Sequence, residues 1–126
     1  MNRATPPRPG SELRALIVEA DPALSGLLGE WLEGQGFGVY EELPAGSCDL
    51  IVADVPRPRQ GAPEFLRRLA RDHPGTPVLA LSSNFLPGAD GASAVARTLG
   101  VAAVLAKPVS RDALLAAVKK LVTQAA

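Results

Sequence analysis

Short apolar runs alternate with stretches of helical periodicity along almost all of this chain, and few folds accommodate that alternation. Strand and helix taking turns is the signature of βα units wound around a parallel sheet. The runs are continuous, as in Leu50-Ile51-Val52-Ala53 and Val78-Leu79-Ala80-Leu81, which is the pattern of strands covered on both faces. At 126 residues the chain reads as one domain, large enough to bury a core without disulfide or metal staples.

The first strand is expected at about Arg14 to Val18. Asp21-Pro22 then supplies a helix N-cap followed by proline at the first helical position. Leu24, Leu27, Leu28, Trp31 and Leu32 follow at the i, i+3, i+4, i+7, i+8 spacing of one buried face, and Gly34 and Gly36 end the helix. A short second strand is expected near Gly38 to Glu41 and the third at Leu50 to Ala53. A helix beginning at Pro63, with Phe65, Leu66 and Leu69 inward, runs to His73-Pro74-Gly75. The fourth strand is Val78 to Leu81, a helix spans about Asp90 to Leu99, and the fifth strand is about Ala102 to Leu105. The last helix takes Ser110 as N-cap and turns Leu114, Leu115, Val118, Leu121 and Val122 inward. Between the second and third strands lies only the segment Glu42 to Asp49, with Pro44 and Gly46 inside it. A parallel crossover ordinarily takes about a dozen residues or more and a helix. This segment is expected to hold no helix longer than one turn, so one helix of an otherwise regular five-unit fold is missing or reduced.

Several function classes fall away on composition. The proline-rich residues 1–11 lack the apolar middle of a signal peptide and read as a disordered tail, with the folded domain at 12–126. No apolar run reaches the ~20 residues that span a bilayer. A lone Cys48 forms no internal disulfide, which favours a cytoplasmic location, and with a single histidine it builds neither a zinc site nor a thiol protease. The formal net charge is zero, which argues against general nucleic-acid binding. The charge is unevenly divided, however: between Leu13 and Asp54 the one cation is Arg14, against eight acids. Arg57, Arg59, Arg67, Arg68 and Arg71 make a basic stretch, read as a solvated face or one that docks an acidic protein surface.

Two of the apolar runs end in acid. Leu13 to Val18 leads to Glu19 and Asp21, and Leu50 to Ala53 leads to Asp54. Parallel strands ending side by side would bring these carboxylates to the sheet edge where α/β proteins bind ligands. Carboxylates gathered there are a usual means of holding a hard cation such as Mg2+. Ala20 stands between the first two acids, where a metal site would use another carboxylate. Asp21 is one residue further on but is already accounted for as a helix cap.

Taken in order, Leu16-Ile17-Val18-Glu19-Ala20-Asp21-Pro22, Asp49-Leu50-Ile51-Val52-Ala53-Asp54 with Pro58, Glu64-Phe65-Leu66, Pro77-Val78-Leu79-Ala80-Leu81-Ser82, and Gly100 ahead of Lys107-Pro108 resemble the receiver domains of two-component response regulators. The resemblance covers roughly residues 12 to 124. It implies a flavodoxin-like, doubly wound α/β fold with five parallel strands in the order 2-1-3-4-5. It further implies that Asp54 is the phosphoacceptor, and that Glu19, Asp54 and the Pro56 carbonyl are Mg2+ ligands. Ser82 and Lys107 would contact the phosphoryl group, and a cis peptide would join Lys107 to Pro108. Two positions depart from the family pattern: Ala20 replaces the second metal-holding acid, and Val104 stands where a switching aromatic is usual.

The expected function is accordingly a signalling module rather than an enzyme. It would be a stand-alone atypical receiver, since the chain stops just after its last helix, with weak Mg2+ binding and impaired phosphorylation, acting through protein contacts. The alternative is a working phosphoacceptor, phosphorylated at Asp54 by a histidine kinase. A flavin-binding domain of similar topology would need a Ser/Thr/Gly-rich phosphate loop after the first strand, and none is present. Partners are expected to be a histidine kinase or a downstream signalling protein. Loss of the helix should also bare apolar sheet near the second strand and residues 42–49, inviting a homodimer.

Overall fold

A computed structural model describes residues 13–42, 47–58, 61–84 and 89–125. The expected tail lies outside the described residues, as do residues 43–46 of the short crossover. The elements run β1 (Leu13–Val18), α1 (Pro22–Glu33), β2 (Phe37–Tyr40), β3 (Leu50–Asp54), α2 (Glu64–Asp72), β4 (Val78–Ser82), α3 (Ala89–Leu99), β5 (Ala103–Ala106) and α4 (Arg111–Ala125). All strand pairs are parallel, in the order β2-β1-β3-β4-β5. This is the doubly wound, flavodoxin-like arrangement, with four helices in place of the regular five among the described residues.

Alternate residues of each strand feed two separate cores. Ala15 and Ile17 of β1, Phe37 of β2, Leu50 and Val52 of β3, and Leu79 and Leu81 of β4 pack under Leu28 and Leu32 of α1 and Leu114, Val118 and Leu121 of α4. Leu16, Ile51, Ala53, Val78, Ala80 and Val104 face the opposite way, toward Leu66 of α2 and Ala96 and Leu99 of α3.

The buried stripe of α1 differs from the expected one. Ser25, Leu28, Gly29 and Leu32 face the sheet, whereas Leu27 is 46% exposed. Small residues at 25 and 29 let the helix lie close: a Cβ on Gly29 would stand 3.5 Å from Val39 Cγ1. The helix therefore rotates toward its small residues, and Leu27 turns outward. The N-cap is as expected, with Asp21 Oδ1 accepting the Ala23 N–H at 3.0 Å. Ser110 Oγ likewise accepts the Ala113 N–H at 3.1 Å. Helix α2 begins one residue later than expected because Pro63 serves as its cap.

Residues 41–49 connect β2 to β3, and Glu42 and residues 47–49 carry no helix. Reach explains this. The connection must step back along one strand and sideways past β1, about 16 Å at ordinary strand spacings. Wound as an α-helix, a segment this long would extend only about 14 Å; drawn out it reaches about 30 Å. Its end is held by hydrogen bonds. The Asp49 N–H donates to the Arg14 carbonyl at 2.9 Å, Arg14 N–H donates to Asp49 Oδ2 at 2.9 Å, and Thr76 Oγ donates to the Cys48 carbonyl at 2.9 Å. Cys48 is the small packing residue expected, its Sγ donating to the Leu50 carbonyl at 3.0 Å. Burial pushes its thiol pKa up, against the lowering effect of that bond.

The expected apolar patch beside β2 does not form among the described residues, where the exposed large hydrophobics are Leu13 and Leu27. By register, the face of β1 and β2 on the crossover side carries Arg14, Leu16, Gly38 and Tyr40. Gly38 has no side chain to expose, and the Arg14 guanidinium lies over the Tyr40 ring at 5.5 Å. The motive for a homodimer there is therefore missing from this surface.

Candidate functional site

The carboxyl ends of β1, β3 and β5 bring three of the expected residues together. Glu19 follows β1, Asp54 ends β3 and Lys107 follows β5. Lys107 Nζ lies 2.8 Å from Glu19 Oε1 and 2.8 Å from Asp54 Oδ1, bridging the two carboxylates. The Glu19 side chain is only 4% exposed, against 26% for Asp54, so the bridge joins a buried acid to one that solvent reaches. Glu19 is also fixed through its second oxygen, as Oε2 accepts the Asp21 N–H at 3.1 Å. Asp21 itself points to its own helix and adds no third carboxylate to the group.

Burial disfavours the charged form of Lys107, but hydrogen bonds to Asp54 and Glu19 outweigh it and hold the ammonium pKa above the ordinary lysine value of 10.5. At neutral pH this is a cation on two anions. The bond from Lys107 to Pro108 is cis, as expected.

The remaining expected residues make other contacts. Ser82 is fully buried at the end of β4. Its Oγ accepts the Asn84 N–H at 3.1 Å, and its carbonyl accepts the Lys107 N–H at 3.0 Å. Val104 is a core residue of β5 in register with Ala80 and only 7% exposed. Pro56 lies exposed just beyond β3. Its carbonyl accepts a hydrogen bond from the Asn84 side-chain amide. Asn84 is the residue that sequence reasoning missed: Ser82-Ser83-Asn84 reads as a turn, and its partner is 28 positions away.

These residues do not fit a bound Mg2+ as they are arranged. Among the described residues, no three His, Cys, Asp or Glu side chains gather as a metal-binding group. Glu19 Oε1 is a buried oxygen of the kind a cation satisfies, and the Lys107 ammonium already stands 2.8 Å from it. The Ala20 methyl supplies no lone pair, and the Pro56 carbonyl is engaged by Asn84.

The basic stretch is partly internal. Arg67 pairs with Glu64 at 2.8 Å and also donates to the Ala62 carbonyl, while Arg71 stands 3.8 Å from Glu64. Arg57 is exposed, and Arg59 lies outside the described residues. No helix among the described residues is long and apolar enough to cross a membrane.

No family model matches the chain. It is 28% identical over 120 residues to the transcriptional regulatory protein GlrR of Escherichia coli K12, a match covering 88% of this chain and 26% of that protein. The chain thus spans about a quarter of the length of the curated relatives it matches. A response regulator from Thermotoga maritima superposes with a TM-score of 0.70 at 21% identity, covering 89% of this chain and 98% of that one. A CheY-like response regulator receiver domain protein from Methanospirillum hungatei gives a TM-score of 0.67 at 20% identity, covering 91% and 97%. The fold is that of response regulator receiver domains.

Proposed function

We propose that this chain is an atypical receiver module of a two-component signalling system, one whose Mg2+-dependent phosphorylation is impaired and which acts by binding other proteins. The observation that carries the reading is the Lys107 bridge between Glu19 and Asp54 beside a missing acid at Ala20. In this reading Asp54 keeps the phosphoacceptor position. Its carboxylate is a competent nucleophile: an Oδ attacks phosphorus, the bond from phosphorus to the donor oxygen or nitrogen breaks, and an aspartyl phosphate forms. Such transfer depends on neutralising the charge that builds up on the phosphoryl oxygens. Mg2+, when bound in a receiver, supplies that neutralisation. Here Lys107 is the one cation in contact with the two acids among the described residues, and its charge is already spent on them.

A histidine kinase or a downstream signalling protein is the partner class this reading names. GlrR is a transcriptional regulatory protein, and a link between this chain and transcription would run through such a partner or a further domain.

Incubation with acetyl phosphate and Mg2+, followed by intact mass measurement, tests the reading. Wild type should gain little or no phosphoryl mass. Ala20→Asp should label more and bind Mg2+ at least about tenfold tighter, the lower end of the effect of altering residues around a metal. If wild type labels at Asp54 as readily as Ala20→Asp, the chain is a working phosphoacceptor and the atypical reading fails.

A further inference from the structure

The Asn84 side chain makes a contact for which the proposed function has no use. It reaches from the loop after β4 to the Pro56 carbonyl in the loop after β3. A carbonyl oxygen only accepts, so the atom facing it must be the amide nitrogen; chemistry fixes the orientation of the side chain. Its own backbone is anchored too, with the Asn84 N–H donating to the buried Ser82 Oγ at 3.1 Å. Asn84 therefore ties two loops across the mouth of the site, and its anchor is a fully buried residue.

We infer that Asn84 is a positioning residue that closes the site in place of a metal ion, acting together with Lys107. The oxygens at this edge that could face a cation are those of Glu19, Asp54 and Pro56. One oxygen of each is taken up by a protein group: the ammonium stands 2.8 Å from Glu19 Oε1 and 2.8 Å from Asp54 Oδ1, and the amide holds the Pro56 carbonyl. A divalent cation entering here would have to displace both. Mg2+ accepts only near-octahedral oxygen ligands and gains nothing from a carbonyl turned toward an amide. The loops after β3 and β4 are thus joined by protein groups, the Asn84 amide and the Pro56 carbonyl. This inference rests on the atypical-receiver reading, which concerns Ala20 and Asp54, but it assigns a separate residue and has a separate readout.

The test is Mg2+ binding by calorimetry, with Mg2+-dependent thermal stabilisation as the second measurement. Wild type, Asn84→Ala, Lys107→Met and the double variant are compared. Wild type should show no Mg2+-dependent shift. Lys107→Met, with two uncompensated carboxylates, should gain one. Adding Asn84→Ala to Lys107→Met should tighten Mg2+ binding a further two- to tenfold, about the factor one neutral hydrogen bond is worth. Asn84→Asp, of nearly the same size but unable to donate to the carbonyl, should tighten it more by adding a carboxylate. A latch of merely structural importance would lower the melting temperature of the Asn84 variants and leave their Mg2+ affinity unchanged. That result, or a wild type that binds Mg2+ as tightly as the double variant, overturns the inference. The phosphorylation reading is judged separately, by acetyl-phosphate labelling of wild type.

Discussion

The two faces of the sheet are built from alternate residues of the same strands, yet they are closed in different ways. Under α1 and α4, the apolar side chains of β1, β2, β3 and β4 meet helices along the whole width, and Leu28, Leu32 and Leu114 are completely buried. On the other face α2 and α3 cover β3, β4 and β5, but among the described residues no helix connects β2 to β3. Near β1 on this face Leu16 and Cys48 are buried in the apolar cluster, and polar pairings complete it: Arg14 over Tyr40, Asp49 on the Arg14 backbone, and Thr76 on the Cys48 carbonyl. Losing a helix thus need not leave an apolar scar. A glycine, a stacked arginine and a few backbone hydrogen bonds can occupy the same region.

Mutations on the two faces should separate these modes of closure. The largest effect is expected for Leu28→Ala, which opens a cavity under α1 and should cost about 2–5 kcal/mol in urea unfolding. Asp49→Ala should cost about 1–3 kcal/mol by leaving the half-buried Arg14 N–H without its acceptor. Arg14→Ala should cost at least about 0.5–1 kcal/mol, the range of an accessible cation–π contact, and less than Leu28→Ala. An Arg14→Ala cost equal to that of Leu28→Ala would mean that the two faces do not differ in how strongly their closure holds the fold.

The site where the faces meet adds a pH test. The folded-state pKa of Lys107 is raised, so its contribution to stability is fully present below the ordinary value of 10.5 and disappears as pH rises through the higher folded value. The stability gap between wild type and Lys107→Met should therefore stay constant through neutral pH and close only under strongly alkaline conditions. A gap that closed between pH 5 and 8 would assign the bridge to some other titrating group.

The strands and the emergence of Glu19 and Asp54 at one sheet edge were legible in the sequence because each depends on a short local pattern, whereas the strand order and the arrival of Lys107 beside them were expected only from the resemblance to receiver domains. An apolar run that ends in a charged residue fixes both the strand and the edge where that charge emerges. The orientation of α1 was less legible, since several apolar residues at helical spacing define more than one possible stripe. The choice fell to Ser25 and Gly29, residues that apolar periodicity does not score. The Asn84 contact and the Arg14–Tyr40 pair were not legible at all. Both are made between segments far apart in the chain, by residue types common on any surface.

The form of β2 also bears on how the protein behaves in a crowded solution. An edge strand offers free amides and carbonyls to any other extended chain, and long, flat, apolar edges seed runaway stacking into fibrils. Here the edge is four residues long, with Gly38 inside it. Glu41 and Glu42 follow immediately as exposed carboxylates, and the Arg14–Tyr40 pair stands on one side. A foreign strand adding there would gain few backbone bonds and would meet like charge at its end if it were acidic. The shortened crossover thus leaves behind a margin that resists templated aggregation.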